Sequence, residues 1–121
     1  MKIGALKNKI KGPTFSIVTP FKKDGNIDYS TLFKNLTFYY KNGVRIFYLM
    51  FYNSRLGLLS EEEVFKLNYK IAKFLKKKFK NTVFIGASKL EGSADEIIKR
   101  TKKLSKSGVD VFSIIFGDKY Y

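Results

Sequence analysis

Val44 to Phe51 is the stretch that most limits what this chain can fold into: it is apolar throughout except for Arg45, and it follows directly on Gly43. Period-two alternation is missing, so neither face of such a strand can be left to water. Strands covered on both faces belong to parallel sheets flanked by helices. Thr82 to Ala87 and Val109 to Phe116 read as two more of the kind, and Thr14 to Thr19, β-rich and ended by Pro20, as the first.

The segments between them carry helix signals. After a turn at Lys22 to Asn26 opened by Gly25, Asp28 stands where an N-cap belongs, and Leu32, Leu36, Tyr39 and Tyr40 follow at helical spacing up to a C′ glycine, Gly43. Ser60 with Glu63 predicts a capping box ahead of an apolar stripe of Val64, Leu67, Ile71 and Phe74, closing on Lys76, Lys77 and Lys78. Ser93 with Glu96 predicts a second box, Ile97, Thr101 and Leu104 continue that helix, and Gly108 ends it. Gly117 to Lys119 reads as a turn.

The resulting order is β-α-β-α-β-α-β, in which parallel strands joined by right-handed crossovers are the rule. An internal echo supports a repeated unit. Lys41 to Phe47 and Lys106 to Phe112 share the pattern K-x-G-V-x-x-F, and Phe51 and Phe116 correspond as well. Duplication of a strand–helix module accounts for this, and so does the recurrence of a glycine cap before a buried strand. Four strands cannot close an eight-stranded barrel, which takes about 250 residues. The fold class is therefore α/β, as an open four-stranded parallel sheet or part of a barrel. Residues 1–11 form a basic lead-in, and residues 12–121 the strand–helix unit.

A chain of 121 residues suits one domain. It has no cysteine and no histidine, which excludes disulfides, cysteine-ligated metal and the usual general base near neutral pH. Acid–base chemistry would fall to Lys, Tyr, Asp or Glu. The net charge of +14 invites a nucleic-acid hypothesis, but 21 of the 24 basic residues are lysine, and Arg45, Arg55 and Arg100 are the only arginines. Arginine is the preferred fork for phosphate and base edges, so a lysine excess typical of AT-rich coding explains the charge better. Glu61 to Glu63 are explained by helix capping without a metal, and Lys76 to Lys80 by a solvated helix end. Phe38, Tyr39, Tyr40, Phe47 and Tyr48 have the spacing of packing residues rather than base-stacking ones. No apolar run approaches the roughly 18 residues of a membrane span, and Met1 to Lys11 lacks the apolar stretch of a secretory signal. A cytoplasmic location is expected.

Several stretches together resemble the dihydrodipicolinate synthase / N-acetylneuraminate lyase family. Ile17-Val18-Thr19-Pro20-Phe21 followed by Asp24-Gly25-Asn26-Ile27-Asp28 is similar to its V-T-P-F…D-G-x-I-D opening. Asn42-Gly43-Val44 resembles its N-G-V before strand two, Leu59-Ser60-Glu61-Glu62-Glu63 its L-S-x-E-E start of helix two, and Gly92-Ser93 with Ser107-Gly108-Val109-Asp110 its third helix and fourth strand. The resemblance runs from about residue 12 to the last residue given. It implies the N-terminal half of a (β/α)8 TIM barrel of the class I aldolase type. In that family a strand-six lysine forms a Schiff base with pyruvate or another 2-oxo acid, and no cofactor or metal is implied. These residues reach only strand four, so none is expected to be the Schiff-base lysine. Lys119, near the end of strand four, is not assigned that role.

One family site falls inside the chain. The loop after strand two, G-T-T-G-E in the family, binds the substrate carboxylate. Here it reads Phe51-Tyr52-Asn53-Ser54-Arg55. Tyr52, Asn53 and Ser54 are the expected carboxylate-binding residues, and Arg55 would add a charged fork if it turned inward. Loss of both glycines is expected to restrict the loop backbone. Gly86-Ala87-Ser88 is either pocket lining or an ordinary strand end. Tyr120-Tyr121 resembles the aromatic pair after strand four, which makes Tyr121 a candidate relay tyrosine; a solvated chain end is the alternative. The expected function is that of a divergent or partial 2-oxo acid lyase or aldolase, inactive as these residues alone. The alternatives are a non-catalytic α/β binding module and a basic nucleic-acid-binding domain. The expected partners are a small 2-oxo acid and, because open strand edges invite pairing, further copies of the chain.

Overall fold

The computed structural model describes residues 2–89 and 91–114. A short helix, α1 (Ile3–Lys9), precedes β1 (Thr14–Ser16), α2 (Tyr29–Lys41), β2 (Ile46–Tyr48), α3 (Glu61–Lys78), β3 (Val83–Ala87), α4 (Ala94–Leu104) and β4 (Val111–Ser113). The strands form one sheet in the order β1-β2-β3-β4, every pair parallel. This is the consecutive, one-direction winding of a barrel wall, as the alternation of capped helices and apolar runs predicts. The lead-in is not extended chain: α1 is helical, yet it buries no residue.

The regular ladders are shorter than the apolar runs. Strand two was expected from Val44, but Val44 N–H still bonds Tyr39 O at 3.0 Å and Gly43 N–H bonds Tyr40 O, with Gly43 at φ 95°. Both residues thus finish α2. Arg45 does the same from the side, its guanidinium donating to Tyr40 O at 2.8 Å and lying 3.9 Å from the Tyr40 ring. Single hydrogen bonds extend each ladder a step further: Ile17 N–H to Tyr48 O, Leu49 N–H to Ile85 O, Val83 N–H to Arg45 O and Asp110 N–H to Phe84 O. The expected strand beyond Ile114, the correspondence of Phe116 to Phe51, the turn at Gly117 to Lys119 and Lys119 itself lie outside the described residues.

Caps follow the sequence signals with one exception. The Asp28 carboxylate accepts from Thr31 N–H at 3.0 Å. Ser60 and Glu63 form a complete capping box. Ser93 accepts from Glu96 N–H at 3.3 Å, but the second box is only half made. The reason is electrostatic. Glu96 lies 3.6 Å from Arg100, one helical turn on, and a charged guanidinium attracts the carboxylate more strongly than a neutral amide does.

Burial divides the sheet into two faces. Phe15, Ile17, Phe47, Leu49 and Phe84 pack against Leu32 and Leu36 of α2 and Val64, Leu67, Ile71 and Leu75 of α3. Stacked rings seal the seam between those helices, Phe33 on Phe74 at 4.4 Å and Tyr40 on Phe79 at 4.2 Å. Phe38, expected to pack, is instead exposed. The fourth helix is held differently. Leu104 is its only fully buried residue, and Ile97 and Thr101 of the expected stripe are only partly covered. Polar contacts supply much of its attachment. Arg100 pairs with Glu61 at 2.8 Å, donates to Lys89 O at 2.8 Å and also donates to Glu91 O.

Asn68 has no counterpart in the sequence reading. It is 0% exposed on α3 and grips the end of β3. Its Nδ2 donates to Ala87 O at 2.9 Å and to Val64 O at 2.8 Å, and its Oδ1 accepts from Ala87 N–H at 3.2 Å. A Cβ on Gly86 would run into Asn68 Oδ1 and Val109 Cγ1. The glycine is therefore required by this amide and by the Val109 side chain.

Two outcomes follow. Asn68→Leu, which strands both polar groups of Ala87 away from water, is expected to lower unfolding free energy by about 2–4 kcal/mol in urea melts, and Gly86→Ala by at least as much. Backbone amides of Thr31 and Asn26 hold the Asp28 and Asp24 carboxyls below the ordinary aspartate value of 3.8. Their stabilisation is present above the unfolded-state value and is lost as pH falls through the lower folded-state values. Asp28→Asn keeps a capping oxygen and is expected to flatten the acid limb of stability against pH.

Candidate functional site

In barrels of this winding the strand C-termini carry the site. The chain segments gathered there are Ser16 to Thr19, Tyr48 to Arg55, Ala87 to Lys89, and Ser113 with Ile114. Register places Ser16, Tyr48, Ile85 and Val111 side by side. Cα partners share a face, so this row lies opposite the helix-packed phenylalanines, as does Ser113, two residues beyond Val111.

The loop after β2 is a turn closed by Ser54 N–H on Met50 O at 2.9 Å. Its four candidate residues separate sharply. Ser54 is fully buried, and its hydroxyl donates to Ile17 O while accepting from Met50 N–H at 2.9 Å. Its carbonyl accepts from Thr19 Oγ1 at 2.6 Å. The residue pins this loop to the segment after β1, and its one hydroxyl proton is already committed to Ile17 O. Tyr52 is 73% exposed. Arg55 is exposed and sits at φ 58°, so the positive φ of this loop falls there, one residue past the second glycine of the family pattern. The loop thus forms without glycine at Phe51 or Ser54.

Asn53 does turn towards the sheet, its Nδ2 donating to Ser16 Oγ at 3.3 Å and lying 3.8 Å from Met50 Sδ. Across the same face the Tyr48 hydroxyl meets Ser113 Oγ. Backbone amides of Phe51, Tyr52 and Asn53 have no hydrogen-bond partner among the described residues, as expected of the opening amides of a helical turn. The nearby Lys89 is drawn aside, its ammonium donating to Leu59 O at 2.9 Å and standing 3.7 Å from Glu91. This face presents two pairs of neutral donors and acceptors, Asn53 with Ser16 and Tyr48 with Ser113, whose groups could each bond a small polar ligand. Tyr121 lies outside the described residues.

Ser16 and Ser113 were not singled out from the sequence, and Tyr48 was read there as a packing residue. Their signal was there, as hydroxyl-bearing residues at the last positions of β1, β2 and β4. Tyr48 and Ser113 are also 65 residues apart, the spacing of the internal echo, whose Gly43 and Gly108 both adopt positive φ.

Because Ser54 serves the scaffold, Ser54→Ala is expected to cost about 1–3 kcal/mol by leaving Ile17 O and Met50 N–H unpaired. Urea melts would check this, and unchanged stability would contradict the pinning role.

The sequence matches no family model and no curated protein sequence. The fold does match solved structures. Dihydrodipicolinate synthase from Bacillus clausii superposes with a TM-score of 0.70 at 18% identity, over 82% of this chain and 32% of that one. A prophage protein of the dihydrodipicolinic acid synthase family from E. coli K12, solved in complex with pyruvate, gives 0.72 at 16%, over 85% and 33%. N-acetylneuraminate lyase from Mycoplasma synoviae gives 0.51 at 20%, over 93% and 49%. The chain spans about a third of the length of the first two and about half of the third. The resemblance read from its motifs and the superposition agree: these residues have the fold of part of a (β/α)8 barrel of the dihydrodipicolinate synthase and N-acetylneuraminate lyase type, consistent with the N-terminal half.

Proposed function

We propose that this chain forms the acid-binding wall of a lyase or aldolase barrel that acts on pyruvate or another short 2-oxo acid. The observation that carries the reading is the placing of two polar pairs, Asn53 with Ser16 and Tyr48 with Ser113, at the C-terminal ends of β1, β2 and β4. They stand beside a loop whose amides at Phe51, Tyr52 and Asn53 have no partner among the described residues. Amides bind a carboxylate without needing a buried countercharge. In this reading the Tyr52 and Asn53 amides hold the carboxylate, the Asn53 side chain and Ser16 orient it, and Arg55 adds long-range attraction from the exposed rim. Support also comes from the fold shared with a protein crystallised with pyruvate.

The covalent step belongs elsewhere. The resemblance assigns the Schiff-base lysine to a sixth strand, and Lys89 is tied to Leu59 and Glu91. A relay role for Tyr121, a cytoplasmic location and self-association belong to the same reading, the last because the outer edges of β1 and β4 carry no partner strand among the described residues. Engagement of the Ser54 hydroxyl favours a second reading, a non-catalytic module that binds a small acid through backbone amides alone.

Titration of the ¹⁵N-labelled chain with pyruvate, against equal chloride, tests the reading. Shifts centred on Tyr52 and Asn53 that weaken about tenfold in Asn53→Ala are expected. Shifts confined to lysine-rich helix ends would overturn it. Borohydride added with pyruvate is expected to leave the mass of residues 1–121 unchanged, and a reduced adduct on any of their lysines would reverse the assignment of the covalent step.

A further inference from the structure

Tyr48 and Ser113 do something the loop residues do not. Tyr48 is on β2 and Ser113 on β4, with β3 between them. Neighbouring strands lie about 4.8 Å apart, so the hydrogen bond that joins the two side chains requires the Tyr48 ring to lie across the face of β3. Tyr48 is in register with Ile85, and Ser113 with Ala87. The ring therefore crosses diagonally from the Ile85 row to the Ala87 row, a crossing that the small side chain of Ala87 suits.

We propose that this tyrosine–serine bridge is the floor of the acid-binding site and sets its specificity, admitting short 2-oxo monoacids and rejecting longer ones. The inference rests on the acid-binding reading above and adds which acid. Two observations point this way. First, Tyr48 ends the strand from which the loop carrying Tyr52 and Asn53 departs, and a longer tail running down this face of the sheet has to displace a ring whose hydroxyl is already bonded. Secondly, Thr14, Ser16, Ile46, Tyr48, Val83 and Ile85, on the side of the sheet away from the helices, carry no charge. Lys89 is held off by Leu59 and Glu91. A second carboxylate on the tail would meet no cation from these residues and would gain no ion pair to offset the water it gives up. The bridge acts on the ligand by shape and by its hydroxyls, and is distinct from the amides that take the carboxylate.

The full chain is titrated by NMR with pyruvate, 2-oxohexanoate and 2-oxoglutarate, in the wild type and in Tyr48→Ala, Tyr48→Leu and Ser113→Ala. The wild type is expected to bind pyruvate at least about tenfold more tightly than either longer acid, the scale on which pockets discriminate methylene groups. Tyr48→Ala is expected to shift the pyruvate-to-2-oxohexanoate ratio by about tenfold or more towards the longer acid, with pyruvate affinity changed less. Tyr48→Leu, which keeps apolar bulk, serves if the alanine variant does not fold, and is expected to shift the ratio in the same direction. Ser113→Ala frees the ring and is expected to give a smaller shift of the same sign. An unchanged ratio in folded variants, or equal wild-type affinity for short and long acids, overturns the specificity role while leaving acid binding intact. Failure of the wild type to bind any of the three overturns both readings.

Discussion

One side-chain amide, that of Asn68, gives the sheet a fixed end. A strand that stops inside a protein leaves an N–H and a C=O that must find partners. Ala87, the last residue of β3, finds both on a single side chain that is itself sealed from solvent. Because Asn68 sits on α3 between Leu67 and Ile71, the clamp also sets how that helix lies along the sheet. Gly86 is the space the amide needs. With β3 and α3 locked together, the neighbouring strands inherit their register, and the polar groups of β1, β2 and β4 come into line on the opposite face.

Much of this was legible in the sequence where a single local rule decides the outcome. Asp28, Ser60 with Glu63, Gly43 and Gly108 all sit where their caps predict, because capping involves only a few consecutive residues. Long-range competition was not legible. Glu96 fits a capping box as well as Glu63 does, yet a nearby arginine takes its carboxylate. Asn68 reads as a polar interruption of a helix stripe, and nothing in its neighbourhood announces that a strand end nineteen residues away depends on it. The candidate site shows the same division. Motif order pointed to the loop after β2, but one-dimensional reading could not tell that Ser54 would turn inward to hold the scaffold while Asn53 faced Ser16.

The conformation of this loop has a physical reason. A turn whose first amides are to stay free must be held in a shape that water does not enforce. Glycines at its ends would let the backbone adopt such angles freely. Here Arg55 takes the positive φ and Ser54 fastens the turn to Ile17 and Thr19. Side-chain hydrogen bonds thus replace backbone permissiveness, and the loop is organised before any ligand arrives.

The fourth helix ends differently from the others in what keeps it in place. Apolar burial is largely indifferent to dissolved ions, whereas contacts between charges on the surface weaken as salt screens them. With Leu104 its only fully buried residue, and Arg100 paired with the exposed Glu61 carboxylate beside its bonds to the Lys89 and Glu91 carbonyls, α4 is a helix whose docking answers to ionic strength. Its amides should exchange with solvent sooner as salt is raised, while those of α2 and α3 keep their rates. Since Lys89 and Glu91 flank the end of β3, the electrolyte around the protein becomes a means of loosening one side of the site from a distance, without touching the core.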